Sequence, residues 1–443
     1  MADDPQPGPD PDDGESVPNR PDDSDSNPFG AFNPFSIPGL GGAGGFDLNS
    51  IMRMLASDGP VNWDVAAQTA QWVAAGEPTP GRTPAPDRAV DAATETELLS
   101  LTDLAVTHVV GATGLSGTYE TRRAVIGRQA WAAHELDALK PVLEALAATL
   151  ERALLDDEDE SDGEIPADPF GVGGPNPFGM IGGDPFGGMM KMLGPALLGV
   201  QAGSMVGFLA QQALGRYDLP LPVSDEPSLT FVAENIDHFI EAWSLPPTDT
   251  RLYVAMHEVT HAAVRSVPWV RERLVRLAEE YVRAYSIDPN AIESQFGNLD
   301  PSDPSTFAAA NANPMALLGA IRSPGQTEIL ERLRCNAAVI EGYADQILEH
   351  AGRPLIPTFG RIHEALARHR LERGEAGRFI EGLLGLDMQR EHYERGSAFA
   401  AGVVEREGLP GLNRLWESEA MMPTTAELDA PGLWLARIEF MDD

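Results

Sequence analysis

Two histidines, His257 and His261, constrain the fold of this 443-residue chain more than any other feature of its sequence. They lie in a stretch, about 249–266, whose pattern predicts a helix. Residues four apart on a helix share one face, so both imidazoles can bind one metal ion. Glu258 lies beside them in an HExxH sequence, where its carboxylate can take a proton from water on the metal. The motif therefore predicts a helix that carries a catalytic zinc (Zn²⁺) site.

The surroundings of the two histidines are apolar. A chain of this composition contains HExxH by chance about once in a hundred cases, and the histidines would then be ordinary surface or core residues. A dry setting strengthens the pull of a metal on water, which favours the functional interpretation. The apolar neighbours are Leu252, Tyr253, Ala255, Met256, Val259, Ala262 and Ala263.

A catalytic zinc site needs a third protein ligand. The pattern HExxHxxGxxH would place a glycine at 264 and a histidine at 267, but both positions hold valine. Glu341, on a helix predicted at about 325–350, is the better candidate. Asp345 shares its helix face and can accept a hydrogen bond from a ligand imidazole. Without the HExxH sequence, this pair would be read as a solvated acidic face. Lesser ligand candidates are His238, His350 and His392.

This donor set predicts hydrolysis of a carbonyl substrate. Glu258 would take a proton from the attacking water and pass it to the leaving nitrogen. The tetrahedral oxyanion needs a further donor, and Tyr393 ranks first because a phenol can donate while it stays neutral. The other available donors are Tyr343, His392 and Arg395.

The charge balance excludes some partners. The net charge is -37, from 68 acidic and 31 basic residues, and Lys140 and Lys191 are the only lysines. Such a chain repels nucleic acid and anionic membranes. The acidic residues are spread along the chain, which favours a halophilic composition over a surface for a cationic partner. The single cysteine, Cys335, excludes an intrachain disulfide and a multi-cysteine zinc site. No secretory signal begins the sequence, so we expect a cytoplasmic protein.

Low-complexity segments divide the chain. Residues 1–45 are rich in Asp, Pro and Gly and predict a disordered arm, and 156–188 predict a flexible acidic and Gly/Pro/Phe insertion. Both repeat an Asx-Pro-Phe element, which we interpret as turn chemistry; the alternative is a set of aromatic docking motifs. An N-terminal helical region at 46–155, with a long helical segment at 119–155, and a catalytic region at 189–443 complete the predicted organisation.

One apolar segment, 189–214, raises the question of a membrane span. Gly199, Gly203 and Gly207 are four apart, a spacing that lets two helices approach closely. Polar residues interrupt the segment, which favours a buried helix, and membrane association stays open. The interruptions are Lys191, Gln201, Gln211 and Gln212.

The pattern after this segment predicts the fold class. A short strand is expected at 229–232, and strands and helices do not alternate, which excludes a Rossmann fold or a barrel. We therefore predict a mainly α protein with at most a small, short-stranded β element. The helices are expected at about 249–266, 268–285, 325–350, 361–373, 375–386 and 388–407.

Four motifs together resemble a known family. They are HEVTH at 257–261, VPWVR at 267–271, GRYDLPL at 215–221 and EGYAD at 341–345. The chain resembles, over about 50–440, the zincin-like metallopeptidase type 2 family, formerly a domain of unknown function, with one branch named for coenzyme F420 biosynthesis.

The resemblance implies a multi-helical zincin-like fold and a zinc-dependent hydrolase or peptidase that acts on a peptide or protein. It implies that His257 and His261 are ligands and that Glu258 is the general base. Glu341 matches the third-ligand glutamate of the wider zincin class. The acidic arm and the 156–188 insertion depart from the family pattern and can change access or partners. A catalytically inactive, metal-binding scaffold that binds a partner is the alternative function. The sequence leaves the substrate and the oligomeric state open.

Overall fold

The computed structural model describes residues 59–76, 86–155, 185–218, 227–285, 325–371 and 388–442. The predicted arm at 1–45, the predicted helix at 375–386 and positions 156–184 of the predicted insertion lie outside the described residues. The insertion was expected to extend to 188, whereas a helix already begins at Pro185.

The described residues are mainly helical, as predicted, with one small sheet. Short 3-10 turns cover Ser116–Glu120, Arg414–Trp416 and Glu419–Met421, and a π-helical turn covers Leu348–Gly352. The helices and strands are α1 (Trp63–Ala74), α2 (Ala92–Thr113), β1 (Arg122–Ile126), α3 (Arg128–Leu155), α4 (Pro185–Ala210), β2 (Ser228–Val232), α5 (Ala233–Ala242), α6 (Pro247–Arg265), α7 (Pro268–Arg283), α8 (Gln326–Ile347), α9 (Phe359–Leu371), α10 (Arg390–Asn413), α11 (Thr425–Leu428) and α12 (Pro431–Asp442).

Strand β1 corrects the sequence analysis, which placed all of 119–155 in one helical segment. β1 pairs in parallel with the fully buried strand β2, from Arg122 opposite Ser228 to Ile126 opposite Val232. The helix begins only after Gly127, where the Asp87 carboxylate accepts hydrogen bonds from the first-turn amides of α3. This cap comes from a residue distant in the sequence, so local periodicity could not show where the helix starts.

Helix α4 packs closely against α1 through its glycines. A Cβ atom on Gly199 would collide with the backbone of Asn62, and one on Gly203 would collide with the carbonyl of Ala66. Gly207 is similarly crowded by α1. The predicted close helix approach is therefore present, with α1 as its partner. Within the described part of the chain, no helix combines the length and apolarity needed to cross a membrane.

Gly203→Ala tests this close approach. An alanine gains up to about 1 kcal/mol over glycine in a helix interior, but here its methyl group meets the α1 backbone. We expect a net loss of about 1–3 kcal/mol in the free energy of unfolding, measured by urea denaturation. Gly111→Ala, in an open position on α2, is the matched control and should be neutral or stabilising. Equal stability of the two variants would contradict the packing.

Helix α6 forms the centre of the larger apolar core. Nearly every side chain from Thr250 to Arg265 is buried, so the helix is enclosed on all sides. Pro247 and Pro268 occupy the first turns of α6 and α7, which fixes the short break between them.

Helix α8 lies between α6 and α10. A Cβ atom on Gly342 of α8 would collide with the backbone of Gly396 on α10, and one on Gly396 would collide with Ala338. This contact between glycines brings the two helices together and fixes the depth of α8 beside α6.

Candidate metal centre

Helices α6 and α8 bring together three side chains of types that bind metal ions. His257, His261 and Glu341 each offer one donor atom, and these atoms lie within 4.8 Å of one another. The imidazole centroids are 4.3 Å apart, and His261 Nε2 lies 3.7 Å from Glu341 Oε1. All three side chains are buried. Two imidazoles and one carboxylate form a ligand set that suits zinc and leaves a fourth position for water or substrate.

The state of the two imidazoles also fits a metal. Burial lowers the pKa of His257 and of His261 well below the ordinary range, and nearby positive charges act in the same direction. Both side chains are therefore neutral, the form that binds a metal ion. Among the described residues, the buried atom His261 Nε2 has no hydrogen-bond partner. Coordination would satisfy this nitrogen, which is otherwise costly to bury.

Glu258 is held beside the ligands by backbone amides. Its Oε2 accepts hydrogen bonds from the amides of Arg216 at 2.8 Å and Tyr217 at 2.9 Å. Its Oε1 lies 3.5 Å from His257 Nδ1 and has no hydrogen-bond partner within the described residues. Burial raises the pKa of Glu258 to about 8, although the two amide hydrogen bonds oppose this rise. A carboxylate with a pKa near neutrality, and one oxygen available, suits a general base.

The segment that supplies these amides is fixed by α3 and β2. Trp131 Nε1 donates to the carbonyl of Gly215 at 3.0 Å, and Arg216 Nε lies 3.1 Å from Glu135 Oε1 with both side chains fully buried. Arg216 also donates to Ser228 Oγ at 2.8 Å. A side chain at 215 would collide with the Glu258 carboxylate, so glycine is required there. In the sequence, 215–221 contributes to the family resemblance, and no local pattern there predicts this role.

Arg265 contacts one ligand histidine. Its Nη1 donates to His261 Nδ1 at 2.9 Å, and its guanidinium lies 4.8 Å from the centroid of the Tyr217 ring. This contact places the ring proton on Nε2, so coordination at Nε2 requires the proton to move to Nδ1 and the contact with Arg265 to break. The Tyr217 ring in turn stacks on His261. Burial lowers the pKa of Arg265. Arg265 follows His261 by one helical turn, and this spacing could have indicated the contact.

Arg370 contacts the other two ligands. Its Nη1 lies 3.1 Å from Glu341 Oε2, and its Nη2 donates to His257 Nε2. Burial alone would lower the pKa of Arg370, but the negative charge of Glu341, with smaller contributions from Tyr393 and nearby aspartates, raises it. The sequence carries no signal for this residue, because α9 reaches the site only through tertiary packing.

The remaining predicted residues have different surroundings. Asp345 accepts a hydrogen bond from Ser397 of α10, and the expected bond from a ligand imidazole is not among its contacts with described residues. Tyr393 is half-buried on the first turn of α10 and packs against the core around the ligands. His238 and His350 are exposed, and His392 Nδ1 accepts from the Gln389 amide at the start of α10. These three histidines do not belong to the ligand cluster.

Comparison with known proteins decides the family. The sequence profile described as zincin-like metallopeptidase matches residues 61–435. The chain belongs to the zincin-like metallopeptidase family. Its members are metallopeptidases, a class of hydrolase whose metal is typically zinc. The resemblance inferred from the sequence motifs is confirmed, as is the mainly α zincin-like fold.

One solved structure supports the fold of this zincin-like metallopeptidase. It is a Chloroflexus aurantiacus protein described as a candidate hydrolase with a novel fold. The TM-score is 0.52 at 24% sequence identity, and the match covers 86% of this chain and 99% of that one. At this identity the likeness shows a shared fold. No curated protein matches the chain significantly.

Proposed function

We propose that the protein is a zinc-dependent metallopeptidase in which His257, His261 and Glu341 hold the metal and Glu258 is the general base. The observation that carries the proposal is the burial of three donor atoms within 4.8 Å of one another, on two helices, beside that carboxylate. The family supports the reaction class. Peptides or proteins are the proposed substrates.

When bound, zinc polarises a carbonyl group and acidifies water. The protein supplies the proton transfers. Glu258 Oε2 is fixed by the two amides of 216–217, so Oε1 is the oxygen that accepts a proton from the attacking water. Glu258 then passes this proton to the leaving nitrogen. Without a bound metal ion, burial raises the pKa of Glu258 to about 8, so its protonated and ionised forms are close in free energy near neutral pH.

Two further roles belong to the proposal. Tyr393 is the proposed donor to the oxyanion, and a position near Glu341 is supported by Gly396, three residues further along α10, whose backbone contacts α8. Asp345 is proposed to support the ligands without binding the metal itself. Its hydrogen bond from Ser397 joins α8, which carries Glu341, to α10. The net charge of -37 supports a protein that avoids nucleic acid and works at high salt, and we propose that it acts in the cytoplasm.

Metal analysis combined with peptide cleavage tests the function. We expect one zinc ion per chain and cleavage of members of a broad peptide library in concentrated KCl, read by mass spectrometry. A chelator should stop cleavage, and added zinc should restore it. His261→Ala should lose both zinc and cleavage. His238→Ala, which changes an exposed histidine outside the cluster, is the control and should retain both.

Two outcomes would count against this function. Stoichiometric zinc without cleavage of any peptide would favour a catalytically inactive scaffold that binds a partner. Full zinc content in His261→Ala would show that the metal lies elsewhere.

A further inference from the structure

Arg370 lies on the atoms that the proposed metal would use. Its Nη2 donates to Nε2 of His257, and its Nη1 lies 3.1 Å from Oε2 of Glu341. These two residues are members of the three-residue ligand cluster. A guanidinium therefore occupies the face of the cluster where a divalent cation would bind.

Arg370 is buried at the ligands, whereas another arginine of α9 is exposed to solvent. Its side chain is 9% exposed, whereas the side chain of Arg368 on the same helix is 59% exposed and pairs with Glu364. Arg370 thus loses its hydration to reach the ligands. A buried guanidinium is stabilised there by the carboxylate of Glu341, which in turn gains a cationic partner.

The two ligands differ in whether they can serve two cations. A carboxylate has two oxygens and can contact both a metal and a guanidinium at once. A neutral imidazole has one lone pair, and on His257 the other ring nitrogen, Nδ1, faces Glu258 Oε1 at 3.5 Å. Nε2 of His257 can therefore bind either a metal or Arg370, but not both.

We propose that Arg370 is an internal cation that exchanges with the metal at His257, so that Arg370 sets how tightly the site holds zinc. Without metal, Arg370 neutralises Glu341 and occupies His257 Nε2. On metal binding, the guanidinium leaves His257 and keeps only its contact with Glu341. This inference rests on the proposed metal site, and it adds a control on metal loading that the catalytic residues do not provide.

Zinc affinity tests the exchange directly. Arg370→Met keeps an unbranched side chain of similar length and removes the charge. We expect zinc to bind Arg370→Met about 10- to 100-fold more tightly than the unchanged protein, measured by competition with a chromophoric chelator, a range typical of residues around metal ligands. Arg368→Ala, on the exposed face of α9, should leave the zinc affinity unchanged. Unchanged or weaker zinc binding by Arg370→Met would overturn the proposal.

Thermal melting gives a second readout. Without metal, Arg370→Met should melt at a lower temperature than the unchanged protein, because Glu341 is left buried without its guanidinium. Zinc should then raise the melting temperature of Arg370→Met by more than it raises that of the unchanged protein. If Arg370→Met does not fold without zinc, Arg370→Lys replaces it. A lysine ammonium lacks the forked guanidinium that contacts His257 and Glu341 at once. The zinc affinity of Arg370→Lys should therefore be higher than that of the unchanged protein. Affinity equal to or below that value would also overturn the exchange.

These outcomes are separate from those of the proposed function. Failure of the exchange would leave zinc content and peptide cleavage intact in the unchanged protein. Failure of the metal site would appear as retained zinc in His261→Ala, whatever the behaviour of Arg370→Met.

Discussion

Glu258→Gln is expected to abolish peptide cleavage while zinc content stays at the level of the unchanged protein. Glutamine has the same shape, and its amide oxygen can still accept the hydrogen bonds from the amides of Arg216 and Tyr217. It cannot accept a proton, and loss of a general base typically lowers the rate about 10²- to 10⁴-fold. The measurement is kcat on a peptide identified in the library, together with metal analysis. Retained turnover would exclude Glu258 as the base, and lost zinc would show a structural role instead.

The same variant has a second expected effect, on stability as a function of pH. Burial raises the pKa of Glu258 from an ordinary 4.5 to about 8, so between these values the folded protein binds a proton that the unfolded chain has released. The contribution of Glu258 to the free energy of unfolding therefore falls as the pH rises through this window. Glutamine removes this dependence. With a chelator present, Glu258→Gln should be more stable than the unchanged protein at pH 8, and the two should converge toward pH 4.5.

The second of the two largest effects is expected for Glu341→Gln, which should lower the zinc affinity by more than about 100-fold. Residues that contact the ligands without binding the metal typically change the affinity by about 10- to 100-fold. The substitution removes the negatively charged ligand of the cluster. Asp345→Asn is the matched control, because Asp345 lies one turn further along α8 and its carboxylate accepts from Ser397. Asp345→Asn should lose less zinc affinity, at most about 10- to 100-fold relative to the unchanged protein. Chelator competition measures both affinities. Equal affinities for the two variants would remove Glu341 from the ligand set.

Glu341→Gln also leaves Arg370 buried without its carboxylate. Breaking a buried pair in this way typically costs about 3–5 kcal/mol of stability. A double variant, Glu341→Gln with Arg370→Met, separates the loss of stability from the loss of the ligand. It should regain part of the stability, because no guanidinium is left buried without a carboxylate, but it still lacks the Glu341 ligand. Thermal melting follows the stability, and chelator competition follows the metal.

The sequence was sufficient to predict the parts of the site that lie on regular helices. His257 and His261 share a face because of their spacing, and the apolar pattern around Glu341 predicted its helix. That Glu341 would face the histidines followed from ligand chemistry and from the family resemblance, and no local pattern could show it.

Other parts depend on contacts between distant segments. Strand β1 is stabilised by pairing with β2 and by the Asp87 cap on the following helix, so its residues alone looked like the start of a helix. Arg370 reaches the ligands only because α9 packs beside α6. The contact of Asp345 with Ser397 also joins two helices that are distant in the sequence, so no local pattern predicts it.

The hydrogen bonds behind Glu258 have a consequence for how this enzyme could change during evolution. The amides that hold its carboxylate belong to 215–217, and this segment is fixed by Trp131 and Glu135 of α3. The N-terminal helical region and the region that carries the proposed site therefore share one network of buried polar contacts. The C-terminal helices carry the proposed metal ligands, but they do not by themselves position the proposed base. Recombination that exchanged the N-terminal helices for those of a relative would preserve the metal ligands and still alter the proton-transfer step.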